Sequence, residues 1–124
     1  MNIKKDIQTE EDVTILIHQF YTKVRQDALL APIFNSIIKG SWDKHLQTMV
    51  DFWSTILLFS KKYLKDPMSK HLPLPLEQKH FVQWLCLFEQ TIDELYVGEV
   101  ANTAKKRANA IALLMKHIKN IPIQ

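Results

Sequence analysis

Along the first third of the chain, Val13, Leu16, Ile17, Phe20 and Val24 recur at the three- and four-residue intervals that mark one face of a helix. Thr9 precedes them, followed by Glu10, Glu11 and Asp12. A hydroxyl cap with acidic groups at the positive end of the helix dipole predicts a start here and a run to about Asp27. Pro32 opens a short helical segment, PIFNSII, and Gly40 and Ser41 separate it from a second long helix at roughly residues 42–60. The inward stripe of that helix reads Trp42, His45 or Leu46, Met49, Trp53 and Ile56. A third helix is predicted from about Glu77 to Val97, with Phe81, Trp84, Leu85, Phe88, Ile92 and Leu95 inward and Gly98 ending it. The fourth, at about 99–119, is expected to bury Val100, Ala104, Ala108, Ile111, Met115 and Ile118. There is no internal repeat, low-complexity tract or strand-like run, so the fold class is all-α.

Between the second and third long helices lies the polar, proline-punctuated stretch SKKYLKDPMSKHLPLPLEQ. A proline lacks an N–H to donate and pushes its predecessor out of the α region. Any helix that carries Ser69, Lys70 and His71 must therefore stop near Leu72, after about one turn. A histidine on so short a turn is held there at an entropic cost and calls for a reason.

The 124 residues fit one domain. The composition, 47% hydrophobic and 23% charged, is that of an ordinary globular chain. The lone cysteine, Cys86, excludes an intrachain disulfide and suits a reducing cytoplasm. Flanked by Leu85 and Leu87, it reads as a small buried hydrophobe. No apolar run reaches the length of a membrane span, and the start does not resemble a signal peptide, so no membrane insertion is expected. The net charge of +3 comes from scattered basic residues, with KKR at 105–107 the densest cluster. They read as solvated helix faces, and no nucleic-acid partner is expected.

Four side chains with polar tips stand on or beside apolar stripes: Tyr21, His45, Trp84 and, on its isolated turn, His71. Together they suit a pocket between helices. Taken singly, each has a plainer reading. A lone histidine on an apolar face is more often a hydrogen-bonded core group than a ligand, and aromatics at helical spacing more often pack than line a site. His18, His80 and His117 have no partner at metal-ligand spacing, and no zinc pattern, phosphate loop or activated nucleophile is present. Pattern alone gives a helical domain with a candidate pocket.

The stretches QFYTKVRQDALLAPIFN, SWDKHLQTMVDFWSTILL, MSKHLPLPLEQKHFVQWLCLFEQTI and AKKRANAIALLM, in this order, resemble the truncated hemoglobins, most of all group III of bacteria. The resemblance spans about Ile15 to Lys119. It implies one truncated-globin domain over residues 1–124, a globin-like two-over-two helical sandwich around a b-type heme, with residues 1–8 a flexible N-terminal extension. His71 matches the proximal iron ligand. The prolines would cut its helix short and let the segment wrap the heme. Tyr21, His45, Met49 and Trp84 match distal ligand-binding positions, while Phe20, Phe34, Trp53, Leu72 and Phe88 match heme-pocket packing. The paired-glycine motifs of the other groups are absent, as group III generally has it. Lys70, Lys44 and Arg107 are candidate propionate partners.

The resemblance further implies reversible binding of O2, CO and NO. A phenol or indole donor stabilises the partial negative charge that oxygen acquires on ferrous heme, and a hydrogen bond to a charged acceptor contributes about 1.5–3 kcal/mol. Two alternatives stand beside this reading. One is a heme enzyme for NO dioxygenation or for peroxide and oxygen activation. It would need a separate, unidentified reductase, since the chain has no flavin or nicotinamide domain. The other is a helical interaction module without heme.

Overall fold

Thr9 starts the first helix by reciprocal capping. In the computed structural model, which describes residues 4–38, 41–59 and 77–118, the backbone N–H of Asp12 donates to Thr9 Oγ1 at 3.1 Å and that of Thr9 donates to Asp12 Oδ2 at 3.1 Å. Helix α1 then runs Glu10–Gln26. Its buried face, Val13, Leu16, Ile17, Phe20, Tyr21 and Val24, is the predicted stripe with Tyr21 added. At its end the Asp27 carboxylate accepts from the N–H groups of Leu29 and Leu30 and from Gln83 Nε2. That turn leads into α2, Ala31–Ile37, with Pro32 in its first turn, where the missing N–H costs nothing.

Helix α3, Trp42–Leu58, buries Leu46, Met49, Val50, Trp53, Ser54 and Leu57. At its first turn, Leu46 is buried and His45 half-buried. The helix ends two residues short of the predicted boundary because Phe59 turns left-handed, at φ 59°. Helix α4, Gln78–Leu95, starts at Glu77, whose N–H donates to His80 Nδ1 at 2.8 Å. Helix α5 is Glu99–Ile118. It presents Ala101, Ala104, Ala108 and Ala112 to the core, small side chains that let a neighbouring helix approach closely.

Helix α1 packs on α3 and α4, α4 packs on α5, α3 touches α5, and α2 lies on α1. Two pairs of helices, α1 with α3 and α4 with α5, make the expected two-over-two sandwich. The described residues form no strand, only an isolated bridge between Lys5 and Tyr96. Phe20, Phe88, Leu16, Ile17 and Ile92 are fully buried where the layers meet. Each contributes about 1.5–3 kcal/mol relative to exposure. Among the described residues no helix is long and apolar enough to cross a membrane.

Three expectations are corrected. Residues 4–8 are not a flexible extension: Ile7 is 1% exposed and belongs to the core, and the Asp6 carboxylate accepts from the N–H groups of Val100 and Ala101, capping α5. Lys5 adds an ion pair to Asp12. Secondly, α4 stops at Leu95 rather than Val97, because Tyr96 becomes extended and Val97 N–H donates to Lys5 O at 3.0 Å. Gly98 therefore does not terminate α4. Its φ of +143° and lack of Cβ make room for the Asp6 carboxyl group. Finally, Cys86 is exposed rather than buried. It lies two residues from both Trp84 and Phe88, on the face of α4 opposite the packed one.

Candidate functional site

The polar-tipped aromatics meet where α1, α3 and α4 face one another. Tyr21 is 4% exposed. Four rings surround it: Phe20 at 4.8 Å, His45 at 5.1 Å, Trp42 at 6.0 Å and Phe34 at 6.1 Å between centroids. Most of these meet edge to face, the arrangement that ring quadrupoles favour. Burial in this surrounding pushes the Tyr21 hydroxyl well above the usual phenol range, so it stays protonated and remains a donor.

Trp84 is positioned by a stack. It lies parallel to Phe88, one turn on along α4, at 5.6 Å and 1°, and Phe88 in turn stacks on Trp53 of α3 at 4.8 Å. The edge of Phe20 closes against both Phe88, at 5.0 Å, and Trp84, at 5.9 Å. An indole stacked on Phe88 and closed on by Phe20 has little rotational freedom, which restricts where its N–H can point.

Between these groups lies a partly open cleft of about 350 Å3. Met49, Phe52 and Trp53 of α3 line it, with Ile111 and Met115 of α5, Tyr21 of α1 and Trp84 of α4. A second hollow of about 370 Å3 shares Trp84 and Met115 with it and continues to Leu30, Phe34, His80, Phe81 and Ala112. Both linings are predominantly apolar.

Of the residues expected from the sequence, Tyr21, Met49, Trp53 and Trp84 come together in the cleft lining. Phe20 and Phe88 support them from the core, and Phe34 lines the adjoining hollow. His45 is not in the lining; its ring meets Tyr21 edge-on. His71, Leu72 and Lys70 lie outside the described residues. Lys44 and Arg107 are exposed. Phe52 and the pair Arg25 and Trp42 were not singled out as site residues. Phe52 falls beside the inward stripe of α3 rather than on it, and Arg25 reads as a solvated charge.

Known proteins resemble this chain over nearly its whole length. Residues 3–120 match the bacterial-like globin family. The group 3 truncated hemoglobin ctb of Campylobacter jejuni is 37% identical over 123 residues, covering 96% of this chain and 94% of that one. The crystal structure of a group III truncated hemoglobin from C. jejuni superposes with a TM-score of 0.86 at 36% identity, over 94% of both chains. The chain belongs to the bacterial-like globins, among the group III truncated hemoglobins. The group 2 truncated hemoglobin YjbI of Bacillus subtilis is 26% identical, over 90% of this chain and 83% of its own. A tryptophan-to-leucine mutant of the group II truncated hemoglobin from Bacillus anthracis, at 24% identity and a TM-score of 0.75, shares the fold.

Globins hold heme and take diatomic ligands, so membership makes this a heme-binding globin. The residues present fit that group. Methionine, isoleucine and aromatic side chains from four helices give an apolar slot suited to porphyrin faces, and Tyr21 and Trp84, which carry an O–H and an N–H, stand in its lining.

Proposed function

We propose that this globin binds heme b through His71 and reversibly takes O2, CO and NO, with Tyr21 and Trp84 as the donors that hold the ligand. The observation that carries the reading is the presence of both donors in one otherwise apolar cleft. Heme, when bound, supplies an iron with an open coordination position. The chain supplies the rest. His71 would be the iron ligand, and its second ring nitrogen would be free to donate to a backbone carbonyl. Leu72 would pack beside the heme. Met49, in the cleft lining, would roof the bound ligand and keep water from it, which strengthens every hydrogen bond made there.

Tyr21 is the stronger discriminator. Its hydroxyl is buried and held above the usual phenol range, and the Phe20 and Phe34 rings beside it offer no acceptor for its proton. Dioxygen in such a site draws more negative charge than carbon monoxide, so the donors retain it longer. A cytoplasmic setting suits the single exposed thiol.

Replacing His71 with Ala tests the iron ligand. The reading expects loss of the five-coordinate, histidine-ligated ferrous spectrum and its return with added imidazole. An unchanged spectrum would remove His71 from that role.

A second reading, oxidation of nitric oxide to nitrate by the oxygenated protein, draws on the same pair of donors, which polarise an O–O bond. It requires a separate reductase to return the iron to the ferrous state. Rapid mixing of the oxygenated form with nitric oxide decides it: a reaction no faster than oxygen release would leave ligand binding alone.

A further inference from the structure

At the start of α3, one contact is of a different kind from the rest. The Arg25 guanidinium lies over the Trp42 ring, 4.6 Å from its centroid. Trp42 is the first residue of α3, and the Ser41 side chain makes no capping hydrogen bond there. His45 N–H donates to Ser41 O there at a long 3.3 Å. A helix terminus without a side-chain cap frays easily. The Trp42 indole ties this one to α1, lying between Arg25 and Tyr21, which are one turn apart on α1.

His45 is one turn into the same helix. Its ring is perpendicular to Trp42 at 5.8 Å, at an interplanar angle of 90°, and perpendicular to Tyr21 at 5.1 Å and 88°. Trp42 and Tyr21 themselves meet at 6.0 Å. The three rings form a closed triangle, and the exposed Arg25 sits over the Trp42 corner. Trp42 therefore abuts both members of the His45–Tyr21 pair.

We infer that Trp42, held by Arg25, is a positioning residue that keeps His45 against Tyr21 and so fixes the aim of the Tyr21 hydroxyl. This rests on the ligand-pocket reading above. Neither Arg25 nor Trp42 lines the cleft. They act through Tyr21 and His45.

The test compares wild-type holoprotein with Arg25→Gln, Arg25→Lys and Trp42→Leu, all with carbon monoxide bound. The infrared C–O stretch reports whether a donor faces the ligand, and flash photolysis gives the association rate. A cation–π contact at an exposed site corresponds to roughly a two- to fivefold population change. Arg25→Gln is expected to move intensity from the donor-facing band to a donor-free band and to change the association rate by that factor. Arg25→Lys, which keeps the cation, restores most of both. Trp42→Leu shifts further in the same direction. NOE contacts between the His45 and Tyr21 rings weaken in parallel. Arg25 is exposed, so its variants fold even if Trp42→Leu does not.

Wild-type bands and rates in Arg25→Gln, while Tyr21→Phe alters both, would overturn the inference and leave the pocket reading intact. Failure of Arg25→Lys to restore an altered Arg25→Gln phenotype would remove the cation from the account. A wild-type protein that takes up no heme would overturn the pocket reading and this inference with it.

Discussion

Replacing Tyr21 with Phe removes one oxygen atom and little else. The side chain is 4% exposed, and its packing comes from ring contacts with Phe20, Phe34, Trp42 and His45, which phenylalanine retains. The loss therefore falls on the ligand. A hydrogen bond to a charge-bearing acceptor is worth about 1.5–3 kcal/mol, which converts to a roughly ten- to hundredfold faster oxygen dissociation. For carbon monoxide, a nearly neutral acceptor, the same deletion is worth about 0.5–1.5 kcal/mol, or roughly two- to tenfold. The assay is stopped-flow displacement of each gas from the ferrous protein. Because burial holds the hydroxyl well above the usual phenol range, the wild-type oxygen rate should also stay flat to about pH 10, the ordinary phenol value. Equal acceleration for both gases would mean that Tyr21 controls access rather than donating a hydrogen bond. A Tyr-like titration below that pH would mean that it is not sealed from solvent.

Other predictions concern the frame that carries the cleft. Partial burial acts to raise the Asp6 carboxyl, but N–H donors from Val100, Ala101, Ile7 and Glu99 outweigh it and hold the group below its usual 3.8. Its contribution is thus present above pH 3.8 and lost as the pH falls through the lower folded value. Asp6→Ala should cost about 0.5–2 kcal/mol in urea denaturation at neutral pH. That gap should narrow in acid, and a constant gap would contradict the cap. Gly98→Ala, at φ +143° with the Asp6 carboxyl in the way, should cost about 1–3 kcal/mol from backbone strain alone. The cost should be smaller in an Asp6→Ala background, as a double-mutant cycle would show. Phe88→Ala, which removes the centre of the Trp53–Phe88–Trp84 stack, should cost about 3–5 kcal/mol. Oxygen release should also quicken as Trp84 loosens; an unchanged rate would dissociate Trp84 from the ligand.

The long helices were legible because each has a clear apolar period, and α1 has a local start signal as well. Thr9 with Asp12 is the plainest case, and the bond pair is present as the spacing predicts. The convergence of Tyr21, Met49, Trp53 and Trp84 followed from their positions on inward faces together with the family resemblance. What sequence could not carry was contact between distant segments. Asp6 caps a helix that starts at Glu99, and nothing local to MNIKKDIQ marks Ile7 as core. That is why an N-terminal tail was expected where a strap is found. Cys86 was misjudged for a different reason: its immediate neighbours are leucines, but a helix exposes by period rather than by neighbourhood. Arg25 gave no sign, since cation–π partners 17 positions apart leave no pattern in one sequence.

The central claim is a heme held in this cleft through histidine and open to gas. The measurement that meets it most directly is the absorption spectrum of the purified protein in ferric, reduced and reduced-plus-carbon-monoxide states, after incubation with hemin. The account predicts an intense Soret band that moves on reduction and sharpens and shifts again under carbon monoxide, as histidine-ligated heme does. A folded protein that remained colourless beside hemin, or a Soret band indifferent to carbon monoxide, would contradict it.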